Sequence, residues 1–372
     1  MAALLTFAAP PAWAQQRPTS PENFDQVAAR AEQARSANRV EEAIELYRKA
    51  LSLRPRWAEG WWYLGTLLYE RDAFADAAAA FGRATTLSPK VGTAWVMLGL
   101  CEFKLGRYQD ALTHIQQGRQ LGTSAEPRFK QVMLYHEGIL LLGKGDFERA
   151  QETLSLLSRE GVESEEVVTA LGLSVLRIRF SDLLAGDAAL RELVRRAGWA
   201  EHLAAQKKFD EAMREYERLA ADSPRAQNVH YAYGRFLLAN QYDEKAVAAF
   251  QREIENTPNH VLARLRIADV KLRLKDFTGG LPYAQEAVKL SPQSPLGHFL
   301  LGALLLETGQ TARAIAELEA AQKSLPDEPK IYFQLGRAYA RANRKEDAAR
   351  ARAAFARLNK EEAAKDGEKE QQ

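Results

Sequence analysis

The sequence predicts an all-α protein built from stacked antiparallel helix pairs. Three features recur along it with one period: a small residue, a second small residue and a closing proline. The first of these returns every 34 residues, at Ala43, Ala77 and Ala111 and again at Ala212, Ala246, Gly280, Ala314 and Ala348. A fixed period of this size indicates repeated copies of one helical hairpin, each of which buries its apolar face against its neighbour.

The second small residue predicts where the two helices of each pair cross. A glycine inside a helix costs about 1 kcal/mol relative to alanine, so its recurrence requires a packing reason. Close approach of two helices supplies that reason, because bulky side chains would separate them. The residues at this eighth position of the repeat are Ala31, Gly65, Gly99, Gly138, Ala200, Gly234, Ala268, Gly302 and Gly336.

Aligned on this period, residues 24–164 hold four repeats and residues 193–362 hold five. Residues 165–192 form a degenerate helical unit, with a good first helix and a partner helix out of register that runs from about Leu183 past Val194; this unit is a candidate bend between the two blocks. The chain ends in a charged tail, residues 363–372.

Each repeat has the same internal order. Apolar residues follow helical spacing in the first helix, as at Trp61, Leu64 and Leu68. A turn rich in Gly, Asp, Asn or Lys comes next. The second helix then ends before a proline, such as Pro55 or Pro89, because proline cannot continue the hydrogen-bond ladder.

Trp61, Leu64 and Gly65, followed by alanine, aromatic, alanine and proline over 34 residues, form a pattern that resembles the tetratricopeptide repeat. The resemblance covers nearly all of the chain from Phe24 to Lys360. It implies a right-handed α-solenoid, a superhelix of helix pairs. Later repeats depart from the pattern at the tryptophan position, where the chain has Arg196, His230, Arg264 and His298. We expect the two histidines to take a packing role there.

Composition and motifs argue against several functions. With 51 basic and 49 acidic residues the net charge is +2, and no basic block favours nucleic acid. The single cysteine, Cys101, lies among apolar residues and is expected to be buried. No histidine pair has metal-ligand spacing, and no nucleophile elbow or phosphate loop is present. We therefore expect no enzyme activity, no metal and no cofactor.

The N-terminus predicts export. Residues 1–14 are apolar and end in Ala12-Trp13-Ala14, a pattern typical of signal-peptide cleavage before a linker, residues 15–23. The segment is short and lacks a preceding basic residue, as a start codon placed too far downstream would explain. The prediction is a periplasmic or secreted bacterial protein if the segment is a signal peptide, and a cytoplasmic one otherwise. No membrane span is expected.

The resemblance also implies a binding surface, since the first helix of each tetratricopeptide pair lines a concave groove. In the N-terminal block this surface is aromatic and apolar, which suits a peptide or an amphipathic helix. In the C-terminal block it includes arginines that suit carboxylates. The candidate partner-binding residues are Trp62, Tyr63, Tyr69, Met97, Phe103, Tyr135, His136, Tyr231, Arg235, Arg266, Phe299, Phe333 and Arg337.

These observations predict a non-catalytic scaffold that binds proteins or peptides along a groove. The alternative is an accessory subunit of a bacterial envelope assembly or polysaccharide export complex, in which the outer surface would matter more. A role beside a glycosyltransferase would require a catalytic domain on a partner chain. The partner and the oligomeric state stay open.

Overall fold

A computed structural model describes residues 23–123 and 126–370. The described residues form helices and turns and contain no strand. The chain divides into two compact units, one that ends at Lys144 and one that starts at Gly145. The predicted signal-like segment, residues 1–14, lies outside the described residues. The all-α prediction is confirmed for the part of the chain that the structure describes.

The first unit contains three helix pairs and one further helix. Asn23 starts the first pair with a capping box, in which its side chain accepts a 2.9 Å hydrogen bond from the backbone N of Gln26. Each first helix packs against the second helix of its own pair, and that second helix packs against the first helix of the next pair. The helices are α1 (Phe24–Ser36), α2 (Val40–Leu53), α3 (Ala58–Glu70), α4 (Phe74–Leu87), α5 (Gly92–Lys104), α6 (Tyr108–Leu121) and α7 (Pro127–Lys144).

The second unit continues the same arrangement, and its last five helix pairs follow each other without a gap. The unit begins with the four helices α8 (Phe147–Arg159), α9 (Glu165–Leu176), α10 (Phe180–Ala185) and α11 (Ala188–Ala205). The remaining helices are α12 (Phe209–Asp222), α13 (Val229–Ala239), α14 (Asp243–Asn256), α15 (Val261–Arg273), α16 (Phe277–Leu290), α17 (Pro295–Glu307), α18 (Thr311–Ser324), α19 (Pro329–Arg341) and α20 (Lys345–Glu370).

In nine repeats the turn between the two helices uses one left-handed residue, at the same repeat position each time. This conformation reverses the chain after the first helix, and glycine adopts it without a steric penalty. Several repeats use a residue with a side chain instead. The turn residues with positive φ are Asn38, Asp72, Gly106, Gly145, Lys207, Gln241, Lys275, Gly309 and Asn343.

The recurring glycines lie where the two helices of a pair meet. A Cβ on Gly65 would lie 2.8 Å from the ring of Phe81, and a Cβ on Gly302 would lie 2.7 Å from Leu318. Both facing residues are fully buried, so neither has room to move. Close helix packing therefore explains why these repeats use glycine.

In five repeats, a side chain at the tryptophan position joins the repeat to the turn before it. In each of these repeats the donor stands six residues after a proline and donates a hydrogen bond to the backbone carbonyl oxygen of that proline. The distance is 2.8 Å from Trp61 Nε1 to Pro55 O and 3.0 Å from His230 Nε2 to Pro224 O. Trp95, His298 and Tyr332 make the same bond. Histidine and tyrosine thus replace tryptophan as N–H or O–H donors, a function beyond the packing role expected for the two histidines.

In the irregular region, residues 165–192, the structure has two helices where the sequence predicted one helix from about Leu183 past Val194. The chain first makes a short helix, α10, which includes Leu183, and then the long helix α11 starts at Ala188. Helix α11 packs against α9 on one side and against α12 on another, so it serves two pairs. A Cβ on Gly172 would overlap the carbonyl of Val194, and one on Gly198 would overlap that of Val168. Two glycines therefore bring α9 and α11 together.

Buried polar groups fix the next helix onto this region. The Asn228 side chain donates a 2.8 Å hydrogen bond to the carbonyl of Leu176, at the end of α9. The fully buried carboxylate of Glu253 accepts hydrogen bonds from the backbone N atoms of Asn228 (2.8 Å) and Tyr231 (3.2 Å), which satisfies donors at the start of α13.

Candidate functional site

The first unit contains an apolar groove formed by the start of α3, the end of α4 and the start of α5. Its volume is about 580 Å³. Trp62 and Tyr63, both predicted as binding residues, lie side by side in its wall. We call it the Trp62 groove, and its lining residues are Ala58, Glu59, Trp62, Tyr63, Ala84, Ser88, Val91, Thr93 and Ala94.

Packing from behind holds the two aromatic rings in place. The Trp62 ring lies edge-on to the buried Phe81 ring at 5.4 Å. The Arg35 guanidinium lies over the Tyr63 ring, 4.2 Å from the ring centroid. The Tyr63 hydroxyl donates a 3.2 Å hydrogen bond to Glu59. Burial, and then the Glu59 carboxylate, raise the pKa of Tyr63. Both rings are half-buried, so each offers one side to a ligand.

A second aromatic cluster lies between α5 and α7. The rings of Phe103 and His136 meet edge-on at 4.8 Å, and Tyr135 lies 5.6 Å from His136. His136 Nδ1 donates to the carbonyl of Val132 over 2.8 Å, and burial lowers the pKa of this histidine, which favours the neutral ring. Three predicted binding residues are thus brought together here.

The other two predicted residues of the first block lie apart from these sites. Tyr69 packs edge-on against Phe74 at 5.4 Å. Met97 packs against the apolar core of the first unit and is half-buried. Neither residue lines the Trp62 groove.

The predicted residues of the second block have different environments. Tyr231 is fully buried against Phe250 and His260, so it cannot meet a partner in this structure and is a core residue. Arg337 pairs with Glu307 at 2.7 Å. Phe333 is exposed, whereas Phe299 and Arg266 are half-buried on other helices.

Arg235 lines a pocket of about 240 Å³ in the second unit that the sequence did not indicate. The carboxylate of Glu201 lies in its wall and accepts hydrogen bonds from Gln151 Nε2 (2.7 Å) and the Tyr216 hydroxyl (3.0 Å). Burial raises the pKa of Glu201. We call this the Glu201 pocket, and its lining residues are Gln151, Ser155, Arg159, Val175, Glu201, Ala204, Ala205, Phe209, Ala232, Arg235, Phe236, Ala239 and Asn240.

One sequence signal bears on this pocket. Glu32 and Glu201 each stand 15 residues before a tyrosine, Tyr47 and Tyr216, at the same place in their repeats, and both tyrosines donate to the carboxylate over 3.0 Å. The spacing alone identifies the pair. It does not show which of the two glutamates lies in a pocket, because that depends on Gln151 from a helix 50 residues earlier.

Across residues 23–123 and 126–370, no three His, Cys, Asp or Glu side chains are grouped to hold a metal ion. Cys101 is buried, as predicted, and burial raises the pKa of its thiol to about 12. None of the described helices is both long and apolar enough to cross a membrane.

Stacked helix pairs with exposed grooves define a class of helical-repeat proteins that act as scaffolds for other proteins. The sequence profile of the tetratricopeptide repeat family matches most of this chain, so the chain belongs to that family. This confirms the resemblance seen in the sequence and supports a protein–protein interaction scaffold. The matched segments are residues 28–91, 67–125, 198–261, 244–295, 265–329 and 299–366.

One curated relative is anaphase-promoting complex subunit 3 of Schizosaccharomyces pombe, which is 26% identical over 145 residues, or 39% of this chain and 22% of the relative. The chain thus spans about a fifth of that protein's length.

Similar solved structures include MamA from Desulfovibrio magneticus RS-1, with 23% identity, 47% of this chain and 97% of that chain covered and a TM-score of 0.41. Another is YrrB, described as a TPR protein with an unusual peptide-binding site, with 18% identity, 45% and 86% coverage and a TM-score of 0.41. The family assignment depends on the repeat matches and not on these structures.

Proposed function

We propose that this protein binds segments of partner proteins and that the Trp62 groove holds a large apolar side chain of the segment. The observation that carries the proposal is the pairing of two half-buried aromatic rings with small apolar residues around a space of about 580 Å³. Grooves lined mainly by apolar and aromatic side chains, with few polar groups, are typical of ligand sites. Aromatic residues of this kind often supply most of the binding free energy.

The charge of the groove adds a second requirement for the partner. Among the lining residues, Glu59 is the only carboxylate, and none is a lysine, arginine or histidine. The Tyr63 hydroxyl donates a hydrogen bond to this carboxylate. A carboxylate at the edge of an apolar site favours a nearby cation. The proposed ligand is therefore a peptide in which a large apolar residue stands beside a lysine or arginine.

A peptide-display selection on the full chain tests this proposal. The selected peptides are expected to share an apolar residue next to a basic one. Val91→Asp should reduce their affinity at least tenfold, because it places a charge in the apolar wall. The variant should still fold, since Val91 is 48% exposed and caps α5, where aspartate is a preferred residue.

Leu53→Asp is the matched control. Leu53 is 50% exposed on the same unit but does not line the groove, so this variant should bind the peptides as the wild type does. Equal affinities for Val91→Asp and wild type, or selected peptides without a shared apolar anchor, would rule out the groove as the site.

We further propose that the protein is exported, on the basis of the apolar residues 1–14 and the cleavage pattern that ends at Ala14. N-terminal sequencing of the native protein tests this. A mature start at Gln15 supports export, whereas an intact Met1 contradicts it. The alternative role in an envelope complex depends on export and predicts a fixed set of membrane-complex neighbours in proximity labelling.

A further inference from the structure

The Glu201 pocket differs from the equivalent place in the first repeat. Glu32 also accepts a tyrosine hydrogen bond, but Arg35 pairs with it at 2.5 Å, which lowers its pKa. Glu201 makes no salt bridge with any residue that the structure describes, and its hydrogen-bond donors are the neutral side chains of Gln151 and Tyr216. The glutamate of the Tyr–Glu pair is thus bound by an arginine at Glu32, whereas at Glu201 it lines a pocket.

The pocket also contains polar groups that lack partners in the described part of the chain. The Oε1 atom of Gln151 is buried and accepts no hydrogen bond. Buried acceptors without a donor are uncommon in folded proteins and call for an explanation. A ligand with an N–H or O–H group supplies one.

Two arginines in the pocket wall lack partners as well. Neither Arg159 nor Arg235 makes a hydrogen bond or a salt bridge with any other described residue, although both are close enough to Glu201 to act on it electrostatically. Most other arginines beside a carboxylate in this unit, such as Arg196 and Arg273, are paired with it at 2.7–2.9 Å. With one carboxylate and two guanidinium groups, the pocket wall has a net positive charge.

We propose that the Glu201 pocket binds a carboxylate group through Arg159 and Arg235, while Gln151 Oε1 accepts a hydrogen bond from a donor on the same ligand. Guanidinium groups recognise carboxylates through paired, charge-assisted hydrogen bonds. The rings of Phe209 and Phe236 would cover the apolar part of the ligand. A volume of about 240 Å³ fits one side chain or a small acid.

The carboxylate has two sources: an acidic side chain in a partner protein, with its backbone N–H as the donor, or a free small acid with an amide or hydroxyl. The first source deepens the proposed function and rests on it. The two sites lie in different units, so loss of binding in the Trp62 groove leaves the test of this pocket unaffected.

Arginine side-chain NMR signals provide the experiment. The full chain, labelled at arginine, is titrated with a blocked five-residue peptide that contains one central glutamate, with the matched glutamine peptide, and with N-acetylglutamate. The glutamate peptide should shift the signals that Arg159→Gln and Arg235→Gln remove. Each of these two variants should weaken binding about tenfold or more, the usual effect of losing a hydrogen bond to a charged group.

Two further variants separate recognition from a general structural effect. Glu201→Gln keeps the hydrogen-bonding shape and removes a like charge, so it should strengthen carboxylate binding about threefold or more. Arg218→Gln, on the exposed side of α12 and paired with Glu215, should leave binding unchanged. Circular dichroism confirms that each variant folds.

Equal binding of N-acetylglutamate and the peptide supports the site with a small acid as its ligand, and stronger binding of the peptide supports the partner side chain. The proposal is overturned if none of the acids shifts the arginine signals, if the glutamine peptide binds as well as the glutamate peptide, or if Glu201→Gln weakens binding.

Discussion

Two glycines in neighbouring repeats are expected to respond to alanine with opposite signs. A Cβ on Gly302 would lie 2.7 Å from Leu318 Cγ and 3.2 Å from the carbonyl of Ala314, both in fully buried residues. A Cβ on Gly336 would meet nothing closer than Arg352 Cγ at 3.4 Å, which belongs to a flexible side chain. The two sites have the same repeat position and differ in the space around them.

The magnitudes follow from two competing effects. Replacing a helical glycine by alanine stabilises a helix by about 1 kcal/mol. Overpacking a tight core costs about 1–3 kcal/mol. Gly336→Ala has only the first effect, so its free energy of unfolding should rise by about 1 kcal/mol. Gly302→Ala has both effects, so its free energy of unfolding should fall by up to about 2 kcal/mol.

Urea unfolding followed by circular dichroism measures both variants against the wild type. The unfolding midpoint should fall for Gly302→Ala and rise for Gly336→Ala. If both midpoints rise, helix propensity alone governs these positions, and the explanation of the recurring glycines as close-packing sites is wrong.

Four further substitutions are expected to alter stability or its pH dependence. Gln241→Gly should raise the free energy of unfolding by about 1 kcal/mol, because the residue has a φ of +65° that a side chain disfavours; the analogous Gly309→Ala should lower it. Arg119→Gln should destabilise the first unit by about 2 kcal/mol, since it removes the 2.9 Å salt bridge to the buried Glu137; an unchanged midpoint would contradict this. Burial lowers the pKa of His202, so its contribution to stability is present above the unfolded pKa and is lost as pH falls through that value; His202→Gln should make the midpoint less sensitive between pH 7.5 and 5, and unaltered sensitivity would assign the effect elsewhere.

The sequence predicted the repeated part of the fold because one periodic constraint acts on every copy. Small residues at the crossing, a turn residue and a proline recur with it, and the structure places the left-handed turns and the tight glycine contacts at these positions. The periodicity did not predict the region around α11. There, Gly172 and Gly198 allow α11 to pack against both α9 and α12, and these contacts are not specified by the recurring small residues and prolines.

The candidate sites were less predictable. Trp62 and Tyr63 were predicted because the tetratricopeptide resemblance assigns both positions to a groove, and the structure places both side chains in the wall of one groove. Tyr231 has the same kind of position in its repeat but is fully buried against Phe250 and His260, so repeat position alone does not determine exposure. The Glu201 pocket combines residues from several helices, and no local pattern connects them.

The most direct test of peptide binding is hydrogen–deuterium exchange on the full chain, with and without a selected peptide. The Trp62 groove predicts slower exchange in residues 84–94, which connect α4 to α5, and at the start of α3. Slower exchange confined to other helices, with no change at these two places, would show that the peptide binds elsewhere and would contradict the proposed site.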